Sequence, residues 1–185
     1  MYQPRQPLIE LSPRLTARRL SEVELGQLLL VADDAAGPGI GIRGDVLSTR
    51  GDVIEGLFRL HGELIRFERR ELGERVVAIE LAYVLEAELG SAGRRSPEPG
   101  DLLLSGASGS AGVLVAGPWP RGEGLLDLGS AVARAYERGA QTPALVVPDW
   151  RLIGREQRSR VLFRRTASEP ASGERWREPP GEDCD

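Results

Sequence analysis

Residues 53–69 read Val53-Ile54-Glu55-Gly56-Leu57-Phe58-Arg59-Leu60-His61-Gly62-Glu63-Leu64-Ile65-Arg66-Phe67-Glu68-Arg69. Two short apolar-rich segments flank a His-Gly pair, as strands separated by a turn signal do. Gly62 supplies the positive φ that a two-residue turn needs, so Val53–Leu60 is expected to pair antiparallel with Glu63–Arg69. On either side, Ile40–Leu47 and Arg75–Leu81 are further short segments bounded by turn residues. Residues 40–81 therefore predict a β-meander, with Tyr83–Leu89 extending it or forming a short edge element.

The flanks add helices to this expectation. Ser21-Glu22-Val23-Glu24 is a capping-box pattern that predicts a short helix to about Ala32, although Leu28–Val31 reads equally well as a buried strand. Residues 90–100, GSAGRRSPEPG, read as a linker or loop. Beyond it lie the apolar runs Leu102–Leu104 and Val113–Ala116. Leu125, Leu128, Val132 and Ala135 or Tyr136 share one face of a helix predicted over Leu125–Arg138, with Gly139 as its cap. Ala144–Val147 and Arg160–Phe163 read as strands. The expected fold class is α+β: a β-rich antiparallel meander or small barrel of about seven short strands with one or two flanking helices. Residues 1–13 are expected to be a loose N-terminal arm, 14–165 a single domain, and 166–185 a disordered acidic tail.

The segment ELIRFERRELGERVVAIELAYVLEAEL, from Glu63 onward, resembles the strand pattern of bacterial pleckstrin-homology or GRAM-like domains. Leu64, Ile65 and Phe67 match one strand of that pattern, and Val77, Ile79, Leu81, Val84 and Leu89 the next. The resemblance covers about 30 residues and consists of hydrophobic spacing. It implies a small barrel closed by a C-terminal helix, a part that Leu125–Arg138 would play. The pattern's basic loop between its first strands has no counterpart here, and a strand-like segment follows the predicted helix.

Composition narrows the chemistry. All 24 basic residues are arginine, and the chain has one histidine and one cysteine. Without lysine there is no Schiff base and no phosphate-loop lysine. One histidine and one cysteine alone make no zinc site. Arginine clamps anions but hardly carries a proton. No cofactor is expected, and a non-enzymatic binding or assembly module is the leading reading. Its partner is expected to be a protein, or an anionic lipid or nucleic acid. The alternatives are a hydrolase built on carboxylates and a divalent metal, or a weak nucleic-acid binder. The net charge of −4 argues against a chain-wide basic footprint. A polar, proline-broken Met1–Pro7 and apolar runs too short to span a bilayer give a cytoplasmic expectation. Missing Lys and Asn, with abundant Arg, Ala, Gly and Pro, suggest a GC-rich bacterial genome.

Four local motifs have bland readings that outweigh functional ones. Gly39-Ile40-Gly41-Ile42-Arg43-Gly44 matches the dinucleotide fingerprint, but the residues after it favour a strand over the required helix. Arg43-Gly44-Asp45 and Arg50-Gly51-Asp52 read as turn chemistry and not as adhesion motifs. Ser105–Gly112 reads as a hairpin connection, and His61 as a turn residue. The scattered carboxylates show no metal-ligand spacing. The one charge pattern above background is an arginine-rich strand near the end. Arg155, Arg158, Arg160, Arg164 and Arg165 are its candidate anion-binding residues. Arg158, Arg160 and Arg164 are expected on one face, with Val161 and Phe163 packed inward.

Overall fold

The computed structural model describes residues 14–31, 39–61, 64–105, 111–119, 122–137, 145–155 and 161–166. Among these the chain forms fourteen strands, two one-turn 3-10 helices (Leu20–Glu22 and Leu89–Ser91) and no α-helix. After β1 (Arg14–Arg19), a first run comprises β2 (Leu28–Val31), β3 (Gly39–Leu47), β4 (Val53–His61), β5 (Leu64–Arg69), β6 (Arg75–Glu80) and β7 (Tyr83–Ala87). A second comprises β8 (Leu102–Leu104), β9 (Ala111–Ala116), β10 (Glu123–Asp127), β11 (Val132–Ala135), β12 (Leu145–Val147) and β13 (Trp150–Gly154), followed by β14 (Val161–Arg165).

The strands β3-β4-β5 and β9-β10-β11 are two antiparallel meanders. Two parallel pairings, β5 with β9 and β11 with β3, join them into a closed six-stranded barrel. The expected hairpin is present, with Leu60 opposite Ile65 and His61 opposite Leu64. Its turn residues 62 and 63 lie outside the described residues, as do 1–13 and 167–185. Inward side chains such as Ile42, Val46, Phe58, Ile65, Val113, Val115 and Leu126 fill the barrel and continue into a core that includes Trp150 and Leu152.

The two runs repeat each other. Glu24-Leu25-Gly26-Gln27-Leu28-Leu29-Leu30 matches Glu98-Pro99-Gly100-Asp101-Leu102-Leu103-Leu104. Gly26 and Gly100 both take positive φ, +85° and +95°. The Gly26 amide donates to the Arg43 carbonyl (2.7 Å) and the Arg43 amide to that of Gln27 (2.8 Å). Gly100, Leu114 and Asp101 make the same exchange at 2.6 and 2.9 Å. The Gly26 carbonyl accepts the Tyr83 hydroxyl at 2.5 Å, and the Gly100 carbonyl accepts the Trp150 indole N–H at 2.8 Å. β6 pairs with β2 as β12 pairs with β8. β7 and β13 pair with each other, symmetrically about Leu85 opposite Leu152. This is the isologous contact that a twofold axis generates. Small satellite cores match as well, Leu29, Leu57 and Ala78 answering to Leu103, Leu125 and Val146.

The α+β expectation is corrected at three places. The helix over Ser21–Ala32 is a single 3-10 turn: the Glu22 carboxylate accepts the Arg19 amide at 3.0 Å, and Gly26 then turns the chain into β2. The helix over Leu125–Arg138 is the β10–β11 hairpin. There Asp127 Oδ1 accepts the amides of Gly129 (2.7 Å) and Ser130 (3.0 Å), a local turn that competes with helix. Along β10 Gly124 and Leu126 are buried while Glu123, Leu125 and Asp127 are not, a strand's alternation and not a helix face. The meander also ends at β5, because β6 crosses to lie between β1 and β2. G-x-G-x-x-G at 39–44 lies within β3, so no helix N-terminus follows it. The first Arg-Gly-Asp is also in β3 with Arg43 buried, and the second forms the exposed β3–β4 turn, where Gly51 has φ +89°.

Gly56 sits where β4 passes closest to β5. A Cβ there would lie 2.2 Å from the Glu68 carbonyl and 2.7 Å from the Phe67 ring. Gly56→Ala should lower unfolding free energy by about 3 kcal/mol in denaturant titrations, since backbone must move to admit the methyl. Gly51→Ala meets nothing within 4 Å. It should cost only about 1 kcal/mol for its left-handed backbone.

Burial pushes the Tyr83 phenol above its ordinary value. A raised folded-state pKa contributes stability that is complete below the unfolded value near 10 and is lost as pH rises through the folded one. Unfolding free energy should therefore fall on raising the pH above about 10, and Tyr83→Phe should flatten part of that slope.

Candidate binding groove

The outer side of β4 and β5 is rich in arginine. Arg59 lies directly opposite Arg66 across the two strands. Glu68 accepts from Arg59 at 3.3 Å and from Arg70 at 2.9 Å, and Arg70 also reaches Glu74 at 2.8 Å. The carboxylates of this strip are thus engaged. Arg66 and Arg69 are exposed and have no ion pair among the described residues.

Beside them the barrel wall opens. The parallel seam between β5 and β9 is a single register pair, Arg66 with Ala116. A groove of about 770 Å³ runs there between β5 and the loop that follows β9. Ile54, Leu64, Phe67, Ala116 and Pro118 give it apolar walls, while Arg59, Arg66 and Arg69 stand with the single acid Glu68. Leu64 is 54% exposed, a large apolar side chain left open beside two unmatched cations. Such a groove suits a chain that alternates apolar and acidic side chains. Sequence reasoning used Arg66 and Arg69 only as strand polarity. That Ala116 and Pro118 line the same groove is set by tertiary structure and has no local signal.

The arginine-rich strand lies only partly among the described residues. Arg164 is exposed on β14 and Arg155 is exposed just after β13, whereas Arg158 and Arg160 lie outside the described residues. Phe163 packs on Trp150 with ring centroids 5.3 Å apart, but Val161 is exposed. Arg165 shares the inward side with Phe163 and is only 3% exposed. Arg164 lies opposite Arg151, which Glu86 already holds at 2.8 and 3.0 Å. The cleft here, about 400 Å³, is also lined by Glu88 and Asp149, so its charge is mixed.

Arg165 points instead to Asp101, the fully buried carboxylate that replaces Gln27 of the first repeat. Asp101 accepts from Arg95 through both oxygens at 2.7 Å, from the Glu98 amide at 2.7 Å and from Arg165 at 3.3 Å. Burial is the largest influence and pushes this carboxyl above the usual range, against the Glu98 amide and the two guanidinium groups. The cluster ties the 95–101 loop to β14 and is structural. Among the described residues no three His, Cys, Asp or Glu side chains converge on a common metal position. None of their helices is long and apolar enough to cross a membrane.

No family model, curated protein or solved structure matches the chain. The groove's chemistry therefore carries the functional argument by itself.

Asp101→Asn keeps the shape but leaves the buried Arg165 without its counter-charge. It should cost about 3 kcal/mol in chemical denaturation, as breaking one side of a buried pair does. Asp101→Leu combined with Arg165→Leu should recover part of that loss, and a double variant less stable than Asp101→Asn would contradict the assignment.

Proposed function

We propose that the protein is a non-enzymatic binding module that takes an extended acidic segment of a protein partner into the β5–β9 groove. The observation that carries this reading is the pair of exposed, unmatched guanidinium groups, Arg66 and Arg69, on the rim of an apolar trough. Arginine presents a planar fork to carboxylates, so two such groups fix the register of an acidic chain. Apolar side chains between the acids would cover Leu64 and Pro118, burying surface that water now meets. The charge contrast with the β13–β14 cleft favours this site, because three carboxylates in that cleft offset its arginines. The all-arginine inventory suits recognition by fixed positive charge better than proton transfer.

Fluorescence anisotropy of a labelled alternating Glu-Leu octapeptide with the full chain tests this. Saturable binding is expected, weakening as salt rises. Arg66→Glu with Arg69→Glu should reduce affinity at least tenfold, while Arg164→Glu should leave it within about twofold, a difference of about 1.4 kcal/mol or more separating the two. Equal binding by the Arg66/Arg69 variant overturns the proposal. So does binding to phosphatidylserine vesicles but not to the peptide, which would mark a lipid-facing surface.

A further inference from the structure

The sequence contains a segment with the groove's complementary pattern. Residues 174–178 read Glu174-Arg175-Trp176-Arg177-Glu178, within a stretch (169–185) that holds six acidic residues and two arginines. In an extended chain alternate side chains share a face, so Glu174, Trp176 and Glu178 would project together and Arg175 and Arg177 away from them. We infer that this segment is an internal competitor that occupies the β5–β9 groove until an outside acidic partner displaces it. The inference rests on the groove reading above and names that site's first occupant.

Three observations select this placement. Glu174 and Glu178 are about 13 Å apart along an extended strand, and Arg66 and Arg69, which leave β5 on opposite faces, both line the groove. Between the two acids stands Trp176, the third tryptophan of the chain. The apolar trough of Leu64, Phe67 and Pro118 lies beside the two cations that the acids would meet. Trp119 and Trp150 are both buried in the fold and are committed to the Leu47 and Gly100 carbonyls at 3.3 and 2.8 Å.

Reach and charge agree. Trp176 lies ten positions beyond Thr166, the last described residue. That length of chain spans up to about 33 Å when extended, comparable with the width of a domain whose radius of gyration is about 15 Å. A tethered ligand acts at an effective concentration near millimolar, so even a weak contact is largely formed. The nearer β13–β14 cleft is the poorer seat, because Glu86, Glu88 and Asp149 line it too. The reciprocal charges would also make the contact salt-sensitive, as a displaceable occupant needs to be.

Cys184 is the chain's one cysteine, so a nitroxide can be attached to the full chain near this segment without further mutation. At low salt, amide signals of Leu64–Arg69 and Gly117 should broaden in the labelled protein. They should sharpen with added salt and in the Arg66→Glu/Arg69→Glu variant. A triple variant, Glu174→Gln/Trp176→Ala/Glu178→Gln, should bind the Glu-Leu octapeptide about fivefold more tightly than the natural chain, or about 1 kcal/mol. Broadening centred on Arg151 and Arg164, or peptide affinity unchanged in the triple variant, overturns the internal competitor while leaving the groove as a binding site. Failure of the triple variant to bind the peptide at all overturns both.

Discussion

Two short parallel seams hold the molecule closed. Arg66 against Ala116, and Val132–Ala133 against Asp45–Val46, convert two open meanders into a ring without free edges. Each seam exists because a long strand shares one side between two partners. β3 gives its first residues to β2 and its last to β11, and β9 divides itself in the same way between β8 and β5. Close approach at Gly56, where even a methyl group would strike backbone, gives the ring its tight curvature. The groove is a by-product of the same economy: a seam one pair long leaves the wall open on either side.

The two repeats have kept their scaffold and changed their electrostatics. At the position where the second repeat buries Leu114 in a satellite core, the first buries Arg43. That guanidinium is neutralised by Asp45 and bonded to the carbonyls of Gly44 and Gly56 at 3.1 and 3.0 Å. Where the first repeat has Gln27, the second has Asp101 and recruits Arg95 and Arg165. A buried charge that must be matched is a strong constraint on sequence. Each repeat carries one, at a different place. The basic groove is likewise confined to one seam: by the shared register, Arg66 corresponds to Val132.

Local patterns were legible where the structure is local. The hairpin around His61 and the strands β3, β5 and β12 follow from short apolar-rich segments and turn residues, because their nearest partners or apolar faces are encoded within a few positions. Leu125–Arg138 misled because Leu125, Leu128 and Val132 fit a helical period, while the deciding interaction is the short Asp127 side chain folding back on Gly129 and Ser130. Parallel pairing leaves no such trace, since Val132 and Asp45 meet across 87 positions. The repeat was visible in principle as E-x-G-x-L-L-L at 24–30 and 98–104. It is easily overlooked because the surrounding segments share pattern more than identity. Of the arginine strand, the exposed position of Arg164 was readable, but the inward turn of Arg165 depends on Asp101, sixty-four residues earlier. The groove needed the tertiary structure entirely.

The division of β3 between neighbours has a temporal consequence. Its last residues wait for β11, so the ring cannot close until the chain has been made through Ala133. Until then the first meander exposes the edge of β3 and the apolar face that carries Phe58 and Phe67. Non-local pairing of this kind folds slowly, because loop entropy is lost before contacts repay it. During synthesis the nascent first repeat is therefore a half-barrel with a sticky side, and another nascent first repeat offers the matching surface. Refolding yield should depend on protein concentration more steeply than the small size of the domain suggests.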